Sequence, residues 1–194
     1  PVRDHGGGLP THLGHSRRVN DAVPFAYMLQ RQGYETAAIV SNGTLGPEHG
    51  FADGFDEWLH TDDAVEPIMW LHLYGKIRAA LFNEEREIER TKHDRIVTLA
   101  KSIMGQPSKA PRMVWVHLSA PEAVHDIMSG MDASEAYARG IERRRRQVSR
   151  LASAVPGWVV AVVGTHGVSI GEDGRWGFGH GLTDEELRVP MAIR

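Results

Sequence analysis

Short runs of apolar residues alternate along the chain with longer segments that are apolar on one side only. Three runs are apolar without polar alternation: residues 36–40, 113–118 and 158–163. Strands with apolar residues on both faces are typical of a sheet that is covered on both sides. We therefore predict three buried strands, and residues 188–193 are predicted as a further short buried strand.

Three segments carry apolar residues at helical spacing and are predicted as helices: 64–82, 84–104 and 133–154. A shorter helix is predicted to begin at a cap on Asn20 or Asp21, with Pro24 in its first turn, and to stop at Gly33.

Two regions lack a sustained period and are predicted as loops. They are residues 1–19 and the glycine-rich stretch that runs through Gly50, Gly54 and Trp58. Strands that alternate with helices predict an α/β fold with a mostly parallel sheet sandwiched by helices. A length of 194 residues predicts a single domain over 1–194.

The composition limits the kinds of molecule that the chain is expected to bind. The formal net charge is −3, so neither nucleic acid nor an anionic membrane is expected as the main partner. The four arginines at 143–146 span a full helical turn and are predicted as a solvated helix flank. No apolar run approaches the ~18–20 residues of a membrane-spanning helix. The absence of cysteine leaves the redox compartment open, and a soluble, cytoplasmic chain is the working expectation.

Histidines accumulate where the predicted strands end: His117, His125, His166 and His180. Ligands of open parallel sheets bind outside the carboxyl ends of the strands, so these positions are candidates for function. His117 lies between Val116 and Leu118 and is predicted as a partly buried structural residue. His166 has two interpretations, a metal ligand or a loop histidine hydrogen-bonded to a carbonyl.

Six segments carry, in order, the motifs of one enzyme family: residues 1–6, 25–42, 50–56, 114–124, 160–172 and 179–190. Among them are the loop Gly-Phe-Ala-Asp-Gly-Phe-Asp at 50–56 and the closing stretch from Gly179-His180-Gly181 to Arg188-Val189-Pro190. Together they resemble the sulfatases, within the alkaline-phosphatase-like superfamily. The resemblance covers nearly the whole chain and is weakest at 63–110.

The resemblance implies a sulfatase-like α/β fold and metal-assisted hydrolysis of sulfate or phosphate esters. In that family a divalent cation, usually calcium, is held by carboxylates at strand ends and polarises the ester. A formylglycine hydrate or a Ser/Thr attacks, while histidine and lysine stabilise charge and protonate the leaving group. The implied partner is an anionic ester substrate, and the implied cofactor is a divalent cation.

This sequence departs from the family pattern first at the position of the nucleophile. In the family, this residue and the first metal-binding aspartate pair precede the segment that residues 1–6 match. A second alignment puts Gly8 at the nucleophile position, and glycine has no side chain to attack with. We therefore expect the N-terminal segment of the family to be missing and both chain ends to be cut. The loss of a central strand would expose sheet edges, which predicts homo-oligomerisation through those edges or poor solubility.

The predicted metal turn departs as well. The third metal carboxylate of the family should follow residues 160–163, and Thr165 stands there, with His166 as the retained member of the pair. Calcium prefers several oxygen ligands, with carboxylates carrying most of the charge. Thr165 and His166 are therefore the candidate metal residues of a site that would hold calcium poorly.

The candidate catalytic residues lie in two loops. The loop after His117 has Ala120-Pro121-Glu122 where the family has Asp-Pro-His, so Glu122 stands at the catalytic position unless His125 takes it. The two would act as base and acid, or simply lie in a solvated loop. His180 would contact an anion through its ring and the loop amides, or be an exposed ring on a glycine turn.

Two hypotheses of function follow from these residues. The first is a sulfatase-family protein that is inactive on its own, because nucleophile and metal carboxylates are missing. The second is a non-enzymatic homologue that keeps the fold for binding or assembly.

Overall fold

Two long helices and several short strands make up a mixed α/β fold. The computed structural model describes residues 8–10, 16–18, 23–41, 45–60, 84–118, 130–179 and 181–194. The strands are β1 (Gly8–Pro10), β2 (Ser16–Arg18), β3 (Glu35–Val40), β4 (Glu57–His60), β5 (Arg112–Val116), β6 (Ala161–Val163), β7 (Ser169–Ile170), β8 (Trp176–Gly177) and β9 (Met191–Ile193). The helices are α1 (Phe25–Gln30), α2 (Glu84–Met104), α3 (Ala133–Ala154) and α4 (Asp184–Leu187).

The chain divides into two compact units, Pro1–Ser119 and Ala120–Arg194. The single domain over residues 1–194 stays a prediction. None of the helices in the described ranges is both long and apolar enough to cross a membrane.

The first unit is built on a three-stranded parallel sheet in the order β4-β3-β5. Ala38 of β3 lies opposite Trp58 of β4 on one side and Trp115 of β5 on the other. From Ala37 to Val40 the central strand is at most 4% exposed. The buried strand predicted at 36–40 is therefore confirmed as β3. The strand predicted at 113–118 is present as β5, but its residues are only half-buried, so its predicted burial is wrong.

Three aromatic rings meet in this unit. The ring centroids of Phe55 and Trp58 are 5.4 Å apart, and those of Phe55 and Trp115 are 5.9 Å apart. The two indoles lie 5.8 Å apart at an interplanar angle of 59°. Aromatic pairs at these separations stabilise beyond the apolar area that they bury, so this cluster joins β4 to β5 across the narrower Ala38.

Helix α2 packs against β3 and β5. Over residues 94–104, the buried residues of this helix are Ile96, Val97, Ala100 and Ile103. Arg112 of β5 donates to the carbonyl oxygens of Ile103 (2.6 Å) and Gln106 (3.0 Å) near the helix end, where backbone carbonyls lack partners within the helix. The predicted helix over 84–104 is confirmed at both ends.

The glycine-rich loop before β4 is tied to β3. Asp56 Oδ2 accepts a hydrogen bond from the Thr36 backbone N–H (2.8 Å) and lies 3.0 Å from the Thr36 hydroxyl, and Oδ1 accepts a hydrogen bond from Gln30 Nε2 (2.7 Å). The Thr36 amide is the largest cause that lowers the pKa of Asp56. Gly54 has a φ of +86°, and a Cβ there would lie 2.2 Å from the Tyr27 backbone nitrogen, so only glycine fits.

Two predicted loops contain strands. Within residues 1–19, β1 and β2 form an antiparallel pair, and the stretch through Trp58 ends in β4, parallel to β3. These strands have three or four residues each, too few to show a period. Pairing of β4 with β3, and of β1 with β2, satisfies backbone groups that a loop would leave without partners. Such pairing is a tertiary effect that the local sequence pattern does not show.

The first predicted helix is shorter than expected. Helix α1 begins at Phe25, and Pro24 is its N-cap in an extended conformation. The predicted stop is confirmed, since Gly33 has a φ of +83°. The predicted caps Asn20 and Asp21, and the predicted helix over 64–82, lie outside the described residues.

In the second unit, α3 confirms the helix predicted over 133–154. Asp132 caps it, because its Oδ1 accepts hydrogen bonds from the backbone amides of Ser134 (2.9 Å) and Glu135 (3.1 Å). This satisfies two of the amides that a helix N-terminus leaves without partners.

The arginine run lies on α3 as a flank with local ion pairs. Arg145 and Arg146 both bind Glu142, and their side chains are 65% and 68% exposed. The hydrogen bond from Arg145, followed by that from Arg146, lowers the pKa of Glu142 to about 2. Arg144 donates instead to Gln147 at 3.0 Å. The prediction of a solvated helix flank is confirmed for Arg145 and Arg146, whereas Arg143 and Arg144 are half-buried.

The strand predicted over 158–163 is shorter and more exposed than expected. It is limited to β6 and pairs antiparallel with β9, outside the parallel sheet. Val159 and Val163 are 80% and 58% exposed, so the prediction of a buried strand in a parallel sheet is wrong here. Among the described strands, parallel pairing is confined to the first unit.

Strand β9 corrects the prediction for residues 188–193 in the same way. Met191 and Ile193 are 67% and 64% exposed, so a strand is present but it is not buried. An apolar run favours extended structure, whereas its burial depends on which other elements pack against it.

Candidate functional site

The turn after β6 is held against the segment that runs from α4 to β9. The Gly164 amide donates to the Pro190 carbonyl at 2.9 Å, and the Gly167 amide donates to the Glu186 carbonyl at 2.8 Å. A Cβ on Gly167 would lie 1.7 Å from the Glu185 carbonyl oxygen. Glycine at 167 is therefore what allows this close approach. Thr165 and His166 lie between the two anchored glycines, and both are exposed.

The His166 ring is fixed on two sides. Its Nδ1 lies 2.9 Å from the Gly167 carbonyl oxygen, and because that oxygen can only accept, Nδ1 carries the hydrogen. The ring also stacks on Phe178, with centroids 4.1 Å apart and planes at 28°. In neutral His166 the acceptor lone pair is thus on Nε2. The hydrogen bond to a carbonyl that one interpretation of His166 expected is present, and a role of His166 as a metal ligand stays a prediction.

Glu186 is a buried carboxylate beside this turn. The residue is 6% exposed, and its Oε2 accepts the Gly179 amide at 2.7 Å. Its Oε1 is also buried and makes no hydrogen bond within the described part of the chain. Leaving a buried polar atom unsatisfied costs roughly 1–3 kcal/mol, and more for a charged group. Oε1 is therefore a buried hydrogen-bond acceptor that has no donor among the described residues.

Sequence reasoning did not single out Glu186. The residue stands in the run Asp184-Glu185-Glu186, and acidic residues in the first turn of a helix are ordinary, because they complement the helix dipole. Asp184 and Glu185 are indeed exposed, and only the third carboxylate is turned inward. No local pattern marks this difference, which depends on the packing of α4 against the turn.

The structure brings together only part of the predicted site. Thr165 and His166 lie on the turn after a strand, as predicted, and they are joined through Gly167 to Glu186. The candidate catalytic residues Glu122, His125 and His180 lie outside the described residues. Their roles stay predictions.

The cation implied by the resemblance can be tested against the donors of this turn. Calcium takes six to eight oxygen ligands, several of them carboxylates. Thr165 offers one neutral hydroxyl, and His166 offers a nitrogen. Among the described residues, no group of three His, Cys, Asp or Glu side chains is placed to hold a metal ion. These donors do not fit calcium.

A second polar group lies at the carboxyl edge of the parallel sheet in the first unit. The Ser41 hydroxyl donates to the His117 carbonyl at 3.1 Å and lies 3.5 Å from Nδ1 of the same residue. The His117 ring meets Trp115 edge-on, and burial lowers its pKa. The prediction that His117 is a partly buried structural residue is confirmed.

No protein-family model matches this chain, and no curated protein sequence matches it significantly. Function is therefore inferred from the residues of this chain, above all from the turn after β6.

Proposed function

We propose that this chain is a sulfatase-type protein, related to metal-dependent hydrolases of sulfate or phosphate esters, and that these 194 residues do not cleave such esters on their own. The observation that carries the proposal is the turn after β6. There an exposed threonine precedes a histidine at the place where the family motif has an acidic metal ligand followed by histidine.

The chemistry of ester cleavage supplies the physical reason. In-line displacement on a sulfate or phosphate needs a nucleophile and positive charge that offsets the charge on the transferring group. Thr165 contributes no negative charge to hold a cation. His166 can orient a ligand through Nε2, because Nδ1 is committed to the Gly167 carbonyl. This turn can position an imidazole, but an imidazole alone is not sufficient for ester cleavage.

The architecture of the first unit supports the proposed relation to the sulfatases. Its parallel sheet has a helix between β4 and β5 along the chain, as an α/β fold requires. The loop at 50–56, which carries part of the resemblance, anchors β4 to β3 through Asp56. The sulfatase fold itself is part of the proposal.

A second candidate function is a non-enzymatic homologue that serves in binding or assembly. It is favoured by apolar side chains that lie exposed on β6 and β9, with Val163 at 58% and Ile193 at 64%. Apolar positions of this kind on paired strands invite association with another chain. Light scattering of the purified chain tests this candidate, since a monodisperse monomer would contradict the assembly role.

An ester-hydrolysis assay tests the main proposal. The full chain is incubated with p-nitrophenyl sulfate and p-nitrophenyl phosphate, with and without calcium, and no turnover above the uncatalysed rate is expected. Thr165→Asp restores a carboxylate and should still give no turnover, because a nucleophile is also required. Thr165→Asn is the matched control, similar in size and uncharged. Calcium-dependent release of nitrophenol by the wild-type chain would contradict the proposal, and rescue by Thr165→Asp would reveal an overlooked nucleophile.

A further inference from the structure

Among the described strands of the second unit, β9 is the one whose residues are all exposed. Met191 and Ile193 are 67% and 64% exposed, and Ala192 between them is exposed as well. In the neighbouring strand β6, by contrast, Val162 is half-buried. An exposed apolar strand at the edge of a sheet is a template on which another strand can pair.

The hydrogen bonds between β6 and β9 fix which backbone groups of β9 remain open. Arg194 and Val160 exchange two backbone hydrogen bonds of 2.9 and 3.0 Å. In an antiparallel ladder, such pairs alternate with pairs whose N–H and C=O groups point away from each other. The backbone groups of Met191 and Ile193 therefore point outward from β9, and no described strand pairs with that side.

The charges beside β9 leave this edge open. Sheet edges are often protected by charged side chains, and Arg188 and Arg194 flank the uncharged residues 189–193. Arg188 lies 3.7 Å from Asp184, and Arg194 donates to the Ala152 carbonyl oxygen at 2.9 Å. Both cations therefore have partners within their own chain, and neither is needed by a strand that pairs with β9.

We propose that β9 pairs with β9 of a second copy of this chain, antiparallel and about a twofold axis at Ala192. This register pairs the whole strand with itself, since Met191 of each copy exchanges two hydrogen bonds with Ile193 of the other. The outward backbone groups are then satisfied, and the two large apolar side chains lie opposite each other. Arg194 falls opposite Pro190 of the other copy, so no like charges face each other directly.

The size of this interface sets its strength. A standard interface buries ~800 Å² on each partner, and two strands of three residues bury far less. The dimer is therefore weak, and the average mass in light scattering should rise with chain concentration. This inference rests on the second candidate function, assembly, and adds the partner and the register.

Disulfide trapping of single-cysteine variants tests the register, because the chain has no cysteine of its own. In Ala192→Cys the two thiols face each other as a non-hydrogen-bonded pair, the closest kind in an antiparallel ladder, near the spacing that a disulfide spans. Ala161→Cys is the matched control, since Ala161 is also exposed and lies on β6. In the proposed dimer its two copies are three strand spacings apart, about 14 Å. With copper phenanthroline as oxidant, the full-length Ala192→Cys chain should form disulfide-linked dimers about tenfold faster or more.

A charge on the edge provides a second pair of variants. Met191→Lys replaces a 67% exposed side chain, so the chain should still fold. Because a charged edge resists pairing, it should slow trapping of Ala192→Cys about fivefold or more. Val159→Lys, at an 80% exposed position outside β9, is its control and should leave the rate unchanged. Equal trapping in Ala192→Cys and Ala161→Cys would overturn the proposal, as would equal effects of the two lysines.

The outcome is separable from those of the other assays. Oligomers in light scattering without preferential trapping at position 192 overturn the pairing of β9 and leave the assembly role standing. A monodisperse monomer at every concentration overturns both. Ester turnover contradicts only the proposed inactivity and leaves the pairing of β9 untouched.

Discussion

Replacing Asp56 with alanine probes the contact that joins the glycine-rich loop to the sheet of the first unit. The substitution removes an acceptor from the Thr36 amide and from Gln30 Nε2. Gln30 is at a partly exposed position and can bind water instead. The Thr36 hydroxyl keeps the Gly54 carbonyl as its acceptor at 2.8 Å. The Thr36 amide has no second acceptor among the described residues, and the residue is 2% exposed.

The expected cost follows from that one buried amide. A buried donor that loses its partner costs about 1–3 kcal/mol, so Asp56→Ala should lower the free energy of unfolding of the first unit by that amount. Asp56→Asn keeps one oxygen for the Thr36 amide, and Gln30 can turn its own amide to present oxygen. The asparagine variant should therefore lose less than about 1 kcal/mol, the net contribution of a typical hydrogen bond.

The charge of Asp56 adds a pH dependence with a defined sign. Its folded-state pKa is lowered, chiefly by the Thr36 amide, so the unfolded chain takes up the proton first as the pH falls. The stability that the ionised group contributes is complete above the unfolded pKa of about 3.9. It is lost as the pH falls below that value through the folded pKa. Asp56→Asn should flatten this acid slope.

Urea denaturation followed by tryptophan fluorescence measures these effects. Changing Trp158 and Trp176 to phenylalanine in every variant confines the signal to the first unit, and Glu57→Ala serves as the control for loss of an exposed carboxylate next to Asp56. The reasoning fails if Asp56→Ala and Glu57→Ala unfold at the same urea concentration, or if Asp56→Ala costs more than Asp56→Asn by less than the error of the measurement.

Two further predictions concern the first unit. Gly33→Ala places alanine at a φ of +83° with no atom within 4 Å of its Cβ, so it should cost about 1–2 kcal/mol. Gly54→Ala adds a clash with the Tyr27 backbone and should abolish the cooperative unfolding transition; equal effects of the two in urea denaturation would refute this. Burial lowers the pKa of His117, so stability should fall as the pH drops below the unfolded value of about 6.5, less steeply in His117→Gln. An NMR titration of the His117 ring with a midpoint at or above 6.5 would show the reverse.

The two long helices, α2 and α3, and the central strand β3 follow from the sequence. Helix α3 follows the predicted bounds because an aspartate cap and a long amphipathic period both mark it. Strand β3 was found because its apolar residues are uninterrupted, which is typical of a strand buried on both faces. Strand β4 does not follow from the sequence, because its four residues are too few to show a period. Its pairing with β3 is a tertiary contact that the local pattern does not show.

The candidate site was accessible only in part. The position of Thr165 and His166 after a strand followed from the order of the segments, and the carbonyl bond of His166 was one of two open interpretations. The exposure of β6 and β9 was not foreseen, because hydrophobicity reports a preference and not the neighbours that satisfy it. Glu186 was missed for the same reason, since its burial comes from the packing of α4 and not from its own sequence context.

The clustered rings of Phe55, Trp58 and Trp115 give the first unit an optical signature of its own. Two indoles 5.8 Å apart and inclined at 59° couple their electronic transitions, which produces a paired band in circular dichroism. The band depends on β4 and β5 keeping their places beside β3, because each strand carries one of the two indoles. Its amplitude during heating therefore reports the integrity of the three-stranded sheet directly, without any ligand or substrate.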